Sequence, residues 1–132
     1  MSKERIRQLV SKRFADFTGL TNDRKAYPNK KDPVAPTTGQ WAKLKIDFVG
    51  RKVTSFGQEP CTRRSGIIVI DVFERLDVGT ASLSKLTDAL EDWFDNYQVE
   101  NLWCDVASTE DALPNNAHYA SIVYIPFEYD EN

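Results

Sequence analysis

Nucleophiles, bases and metal ligands are scarce in these 132 residues, which hold two cysteines, Cys61 and Cys104, and a single histidine, His118. Cys104 with His118 is the one conceivable nucleophile–base pair. If the last two strands form a hairpin, Cys104 faces a residue several positions past His118, so the pair does not meet. A small buried hydrophobe is the better reading of Cys104. The cysteines make no CxxC, which argues against a zinc ribbon, a thioredoxin-like site or a disulfide framework. One histidine cannot build a His-rich metal site, a paired-His centre or an HExxH helix. The six glycines never fall at the spacing of GxGxxG or a P-loop, and no GxSxG elbow occurs. Asp71, beside an apolar strand, could be a buried acid but has no nameable partner for acid–base work, and Asp105 is expected on a solvated face. The expectation is a protein without catalysis, cofactor or metal.

Charge is plentiful, and it is unevenly divided. Residues 1–64 hold 15 Lys+Arg and 6 Asp+Glu, a net of +9, while residues 65–132 hold 2 and 14, a net of -12. Such asymmetry asks for a partner: nucleic acid, another protein or another copy of the chain. Phosphate binding needs clustered cations and stacking rings, which Trp41 and Phe56 could supply. Neither a KH-type GxxG loop nor an RNP1 octapeptide is present, and the pI of about 5.2 opposes that reading. A protomer basic on one flank and acidic on another complements its own copy placed head to tail. Contacts of that kind close into rings when the rotation permits.

The elements that carry these residues follow from periodicity. Ser2 can cap a helix over 3–17, whose Ile6, Leu9, Val10, Phe14 and Phe17 share one face. Residues 18–40 have no period, contain Pro28, Pro33 and Pro36, and carry Arg24, Lys25, Lys30 and Lys31. They read as a flexible interaction arm. Alternation from Trp41 to Phe48 marks a half-buried strand, and Gly66–Phe73 reads as a fully covered one. Between them lies a long hairpin tip with Arg51, Lys52, Arg63 and Arg64. A second helix runs to Tyr97, with Asp88, Glu91, Asp92 and Asp95 on its outer face. A strand is expected over 99–107, a loop over 108–117 and a last strand over 118–129. Pro126 is tolerable there only near the strand's end or on a sheet edge. The order is α-β-β-α-β-β, an α+β fold: a single layer of four main strands in a mixed or antiparallel sheet with two helices packed on it. At 41% hydrophobic residues, the 132 residues suit one domain. Neither a signal peptide nor an apolar run near the ~20 residues of a membrane span is present, so a reducing cytosol, or a particle assembled there, is expected.

One order of motifs runs through nearly the whole chain. An N-terminal helix precedes Ala26-Tyr27-Pro28-Asn29, a Pro-rich arm and Gly39-Gln40-Trp41. After a variable hairpin comes Arg64-Ser65-Gly66-Ile67-Ile68-Val69-Ile70-Asp71-Val72-Phe73. Gly79, a helix ending near Trp93-Phe94, and Tyr124-Ile125-Pro126-Phe127-Glu128-Tyr129 complete it. In order and spacing the sequence resembles the tail-terminator-like proteins of long-tailed bacteriophages, the family of the lambdoid minor tail protein U. The resemblance implies a structural virion protein at the head-proximal end of the tail, assembled in the host cytoplasm. It implies a homo-oligomeric ring of six copies that caps the tube of the major tail protein, ends its polymerisation and joins the head–neck connector or stopper. DNA would pass through the channel only as cargo, with no membrane and no cofactor. The family's contacts lie in the variable arm and hairpin, so Arg24, Lys25, Lys30, Lys31, Arg51, Lys52, Arg63 and Arg64 are the candidate intersubunit or tube contacts. A neck or head–tail completion protein and a small nucleic-acid-binding module are the alternatives.

Overall fold

Alternating side chains make three long strands, and these organise the molecule. The computed structural model describes residues 2–27, 40–54, 57, 61–75, 81–112 and 118–131. In chain order they form α1 (Ser2–Ala15), a 3-10 turn (Asn22–Arg24), β1 (Lys25–Ala26), β2 (Gln40–Val53) and β3 (Thr62–Arg75). Then come α2 (Ala81–Phe94), β4 (Gln98–Val99), β5 (Leu102–Cys104), β6 (Ser108–Ala112) and β7 (His118–Glu131). The seven strands build one mixed, curled sheet, a half-barrel, in the order β1-β2-β3-β7-β5-β4, with β6 also paired to β7. The expected four-stranded layer in the order α-β-β-α-β-β is therefore wrong.

The core lies where the alternation of β2, β3 and β7 falls in phase. Antiparallel registers align Ala42, Val72 and Ser121 in one row, then Leu44, Ile70 and Val123, then Ile46, Ile68 and Ile125. Onto this face pack Ile6, Leu9, Val10 and Phe14 of α1 and Leu83, Leu86, Leu90 and Phe94 of α2. The two helices are clamped to each other by Arg13. Its guanidinium sits 3.7 Å from the Trp93 ring centroid and 4.0 Å from that of Tyr97, and it donates to the Trp93 carbonyl. Trp93 Nε1 donates back to the Arg13 carbonyl at 2.8 Å. This clamp makes Arg13 part of the inner structure, not of a solvated basic face.

Each departure from the expected elements has a local cause. Helix α2 stops at Phe94, short of Tyr97, because Asn96 adopts the left-handed conformation (φ 54) that ends helices. Strands β2 and β3 run on through 50–53 and 62–65, where polar cross-strand pairs replace apolar alternation as the holding interaction. The strand expected over 99–107 splits into β4 and β5 at Glu100, which has φ 52. Residues 108–112, expected as loop, form β6 (Ser-Thr-Glu-Asp-Ala), whose side chains carry no hydrophobic period. Pro126 sits inside β7 with neighbours on both sides, and its placement is explained by the break between β5 and β6. The Asp105 N–H donates to the Pro126 carbonyl at 2.8 Å, so the missing N–H of Pro126 points the same way, into that break. The expected arm is also shorter at its start: Leu20, Lys25 and Ala26 are buried, and β1 pairs in parallel with β2. Residues 28–39 of that arm lie outside the described residues.

One position in the ladder accepts no side chain. Gly66 stands between Phe48 and Phe127, whose rings meet edge-on at 6.1 Å. A Cβ there would lie 2.5 Å from the Asp47 carbonyl oxygen and 2.6 Å from the Phe127 ring. The carbonyl belongs to the β2 backbone and cannot swing aside. Gly66→Ala should therefore destabilise the protein by about 1–3 kcal/mol, the usual cost of overpacking, read as a lowered midpoint in denaturant unfolding.

Candidate functional site

The groups with chemical potential are used structurally. Cys104 is 3% exposed on β5, and burial pushes its thiol up to about 12 against a weaker opposing pull from Arg13. His118 is at the opposite end of β7 from the position facing Cys104, ~30 Å of extended strand away. Asp105 accepts from the Val106 N–H at 2.8 Å, capping the β5–β6 break. Asp71 lies in register between Lys43 and Ile122 on the face away from the helices. Among the described residues, no group of three His, Cys, Asp or Glu side chains could hold a metal ion. None of their helices is long and apolar enough to cross a membrane.

The candidate contact cations are largely occupied within the chain. Arg51 Nε donates to Glu131 at 2.8 Å, Arg63 Nε to Asp130 at 2.8 Å, and Arg64 Nε to Glu131 at 3.3 Å. Arg63 also lies 3.5 Å from Glu128, and its guanidinium covers the Trp103 ring at 4.7 Å. The β3–β7 register is the reason, since it sets Arg63 opposite Asp130 and Thr62 opposite Glu131. The basic first half and the acidic second half thus meet inside one protomer at these residues. The expectation that these two signs meet across a subunit boundary fails for Arg51, Arg63 and Arg64. Arg24 donates to the Gln40 carbonyl at 3.1 Å and ties the 3-10 turn to the start of β2. Lys25 is 4% exposed; its ammonium donates to the carbonyls of Ala15 (3.0 Å) and Phe17 (2.7 Å), closing the end of α1. Lys52 is exposed, and Lys30, Lys31 and Phe56 lie outside the described residues. Glu128, Asp130 and Glu131 were the partners that sequence reasoning missed. The signal was present as a polar, acidic continuation of the last strand, legible only once β3 is known to lie beside it.

Among the described residues, the helix-free face and a groove beside α1 offer surfaces for contact. On the face of the sheet away from the helices, apolar side chains alternate with Lys43, Lys45, Asp47 and Asp71. Trp41 and Phe73 stack there with ring centroids 4.3 Å apart and an interplanar angle of 18°. Val69, Ile67, Ile122 and Tyr124 continue this face by register. At its lower end, a cavity of about 220 Å³ opens between Val49, Trp103, Asp105 and Pro126. Val49 is the extra residue of the β-bulge in β2 and is 68% exposed; Val106, in the β5–β6 break, is 61% exposed. The second surface is a groove of about 200 Å³ between α1 and β2, floored by Ile46 and Phe48 and rimmed by Lys3, Glu4 and Arg7.

No protein-family model and no curated protein matches the sequence. The fold does have a counterpart. A solved structure with 16% sequence identity superposes with a TM-score of 0.73, over 100% of this chain and 98% of the other. The likeness spans both chains almost entirely, so the helices and the curled sheet recur together as one architecture at low sequence identity.

Two measurements check the structural roles assigned here. At pH 8 a thiol reagent should modify the half-exposed Cys61 readily and leave Cys104 untouched until the protein is unfolded. Lys25→Met should cost about 1–3 kcal/mol in chemical unfolding, because it strands the Ala15 and Phe17 carbonyls in a buried setting.

Proposed function

We propose that this protein is a structural subunit of a long phage tail. In this reading it forms a ring, of six copies as the family resemblance implies, at the head-proximal end of the tube. It stops polymerisation of the major tail protein and offers a joining surface to the head–neck connector. The observation that carries the reading is the helix-free face of the sheet, with the half-buried Trp41–Phe73 stack, Ile67, Ile122 and Tyr124. A face on which aromatic and aliphatic side chains alternate with Lys43, Lys45, Asp47 and Asp71 suits binding to protein, where aromatic side chains contribute most.

The nucleic-acid alternative loses its main support. Arg51, Arg63 and Arg64 would have to surrender Glu131, Asp130 and Glu128 before they could neutralise phosphates. In this assignment the DNA is cargo in the channel and the virion tail is the protein's location.

Adding the purified protein to polymerising tail-tube subunits tests the assignment. Tubes should stop lengthening at stoichiometric protein and show a ring at one end by electron microscopy. Tube lengths indifferent to the protein would overturn it.

A further inference from the structure

The outer edge of β2 is covered by β1 only at Ala42 and Lys43. Among the described residues, nothing pairs with that edge from Leu44 to Phe48, where the bulge at Val49 interrupts its regular geometry. Beside this five-residue stretch lies the groove between α1 and β2, with Ile46 and Phe48 half-buried on its floor. Open edges are normally blunted against other chains, and Lys45 with the bulge does some of that. Blunting gives no reason for two large apolar side chains to remain accessible alongside the edge. Strand addition does, because an added strand covers them.

The far side of the sheet holds a segment that fits. Strand β6 pairs with β7 on one side and has no strand on the other among the described residues. It is five residues long, matching the free stretch of β2, and it carries Glu110 and Asp111. Steps from β2 to β3, β7 and β6 are each antiparallel, so β6 runs opposite to β2. A second copy that continues the sheet therefore presents its β6 antiparallel to β2, the more stable pairing. With the helices of both copies on one side, parity also decides the neighbours. Glu110 shares the helix-free face with the exposed Lys45, while Asp111 shares the helix side with Lys3 and Arg7 on the groove rim. The helix-free face then brings Glu110 beside Lys45, two residues from Asp47, and the helix side brings Asp111 to a rim of Lys3 and the Glu4–Arg7 ion pair that is positive on balance.

We infer that the Leu44–Phe48 edge of one copy binds β6 of a second copy head to tail, so that the sheet runs on from subunit to subunit. The contact is heterologous, as a closed ring requires. The inference deepens the ring reading and rests on it, since it names the surface by which the copies join.

Charge exchange and cross-linking test it together. Lys45→Glu and Glu110→Lys should each weaken self-association at low salt by roughly tenfold, and the double variant should regain it. Thermal melting shows whether each variant still folds. In a Cys61→Ser background, a mixture of Lys45→Cys chains and Glu110→Cys chains should form a disulfide on oxidation, and neither chain alone should do so. Rings that assemble normally in both charge variants and yield no mixed cross-link would overturn the edge pairing while leaving the ring reading intact. A cross-linked ring that leaves tube length unrestricted would support the edge pairing and defeat the terminator role. A wild-type chain that stays monomeric in solution and on tubes would defeat both.

Discussion

The register of β3 between β2 and β7 is the constraint on which the rest of the molecule depends. It puts Leu44, Ile70 and Val123 in one row and Ile46, Ile68 and Ile125 in the next, giving the helices an apolar floor. The same register brings Arg63 against Asp130 and Thr62 against Glu131 at the far end, where there is no apolar floor. A slip of one residue would turn every core side chain outward and separate these pairs at once. Gly66 pins that register, because only a residue without a Cβ fits between the Asp47 carbonyl and the Phe127 ring.

The helices and loops are held to this ladder by polar groups that look, by type, like surface charges. Arg13 lies against the Trp93 and Tyr97 rings and exchanges hydrogen bonds with the Trp93 residue. Lys25 caps α1 from a buried position, and the Arg5 guanidinium reaches the Glu100 carboxylate at the β4–β5 turn. That ion pair holds Glu100 below the usual carboxylate range by direct hydrogen bonding. Exposed pairs of this kind add little stability singly, whereas a buried ammonium satisfying two carbonyls is costly to remove. Cationic side chains therefore divide into those that build the fold and those left for contact, and sequence type does not separate the two groups.

Neutralisation inside the protomer changes what the charge asymmetry means for assembly. Three of the fifteen cations in residues 1–64, Arg51, Arg63 and Arg64, are spent on cross-strand pairs with Glu128, Asp130 and Glu131, so at that end of the sheet the division does not steer one copy onto another. Among the described residues, the surfaces left are the helix-free face, where apolar and charged side chains alternate, and the free edges of β2 and β6. Both are backbone and packing features of the sheet. Neither is a motif.

Periodicity in the sequence determined the two helices, the core strands near Trp41–Phe48 and Gly66–Phe73, and the buried fate of Cys104. Those features depend on local alternation and helical spacing, which a single chain segment carries within itself. The polar strand β6, the extension of the hairpin through Arg51 and Arg64, and the place of Pro126 were decided only in the tertiary structure. The arginines depend on Glu131 and Asp130 and the proline on the β5–β6 break, all distant in the chain, while β6 depends on its hairpin partner β7 because its own side chains carry no hydrophobic period. The roles of the candidate cations belong with them. Whether a lysine contacts a partner or caps a helix depends on what folding brings beside it, and for Lys25 folding brought the end of α1.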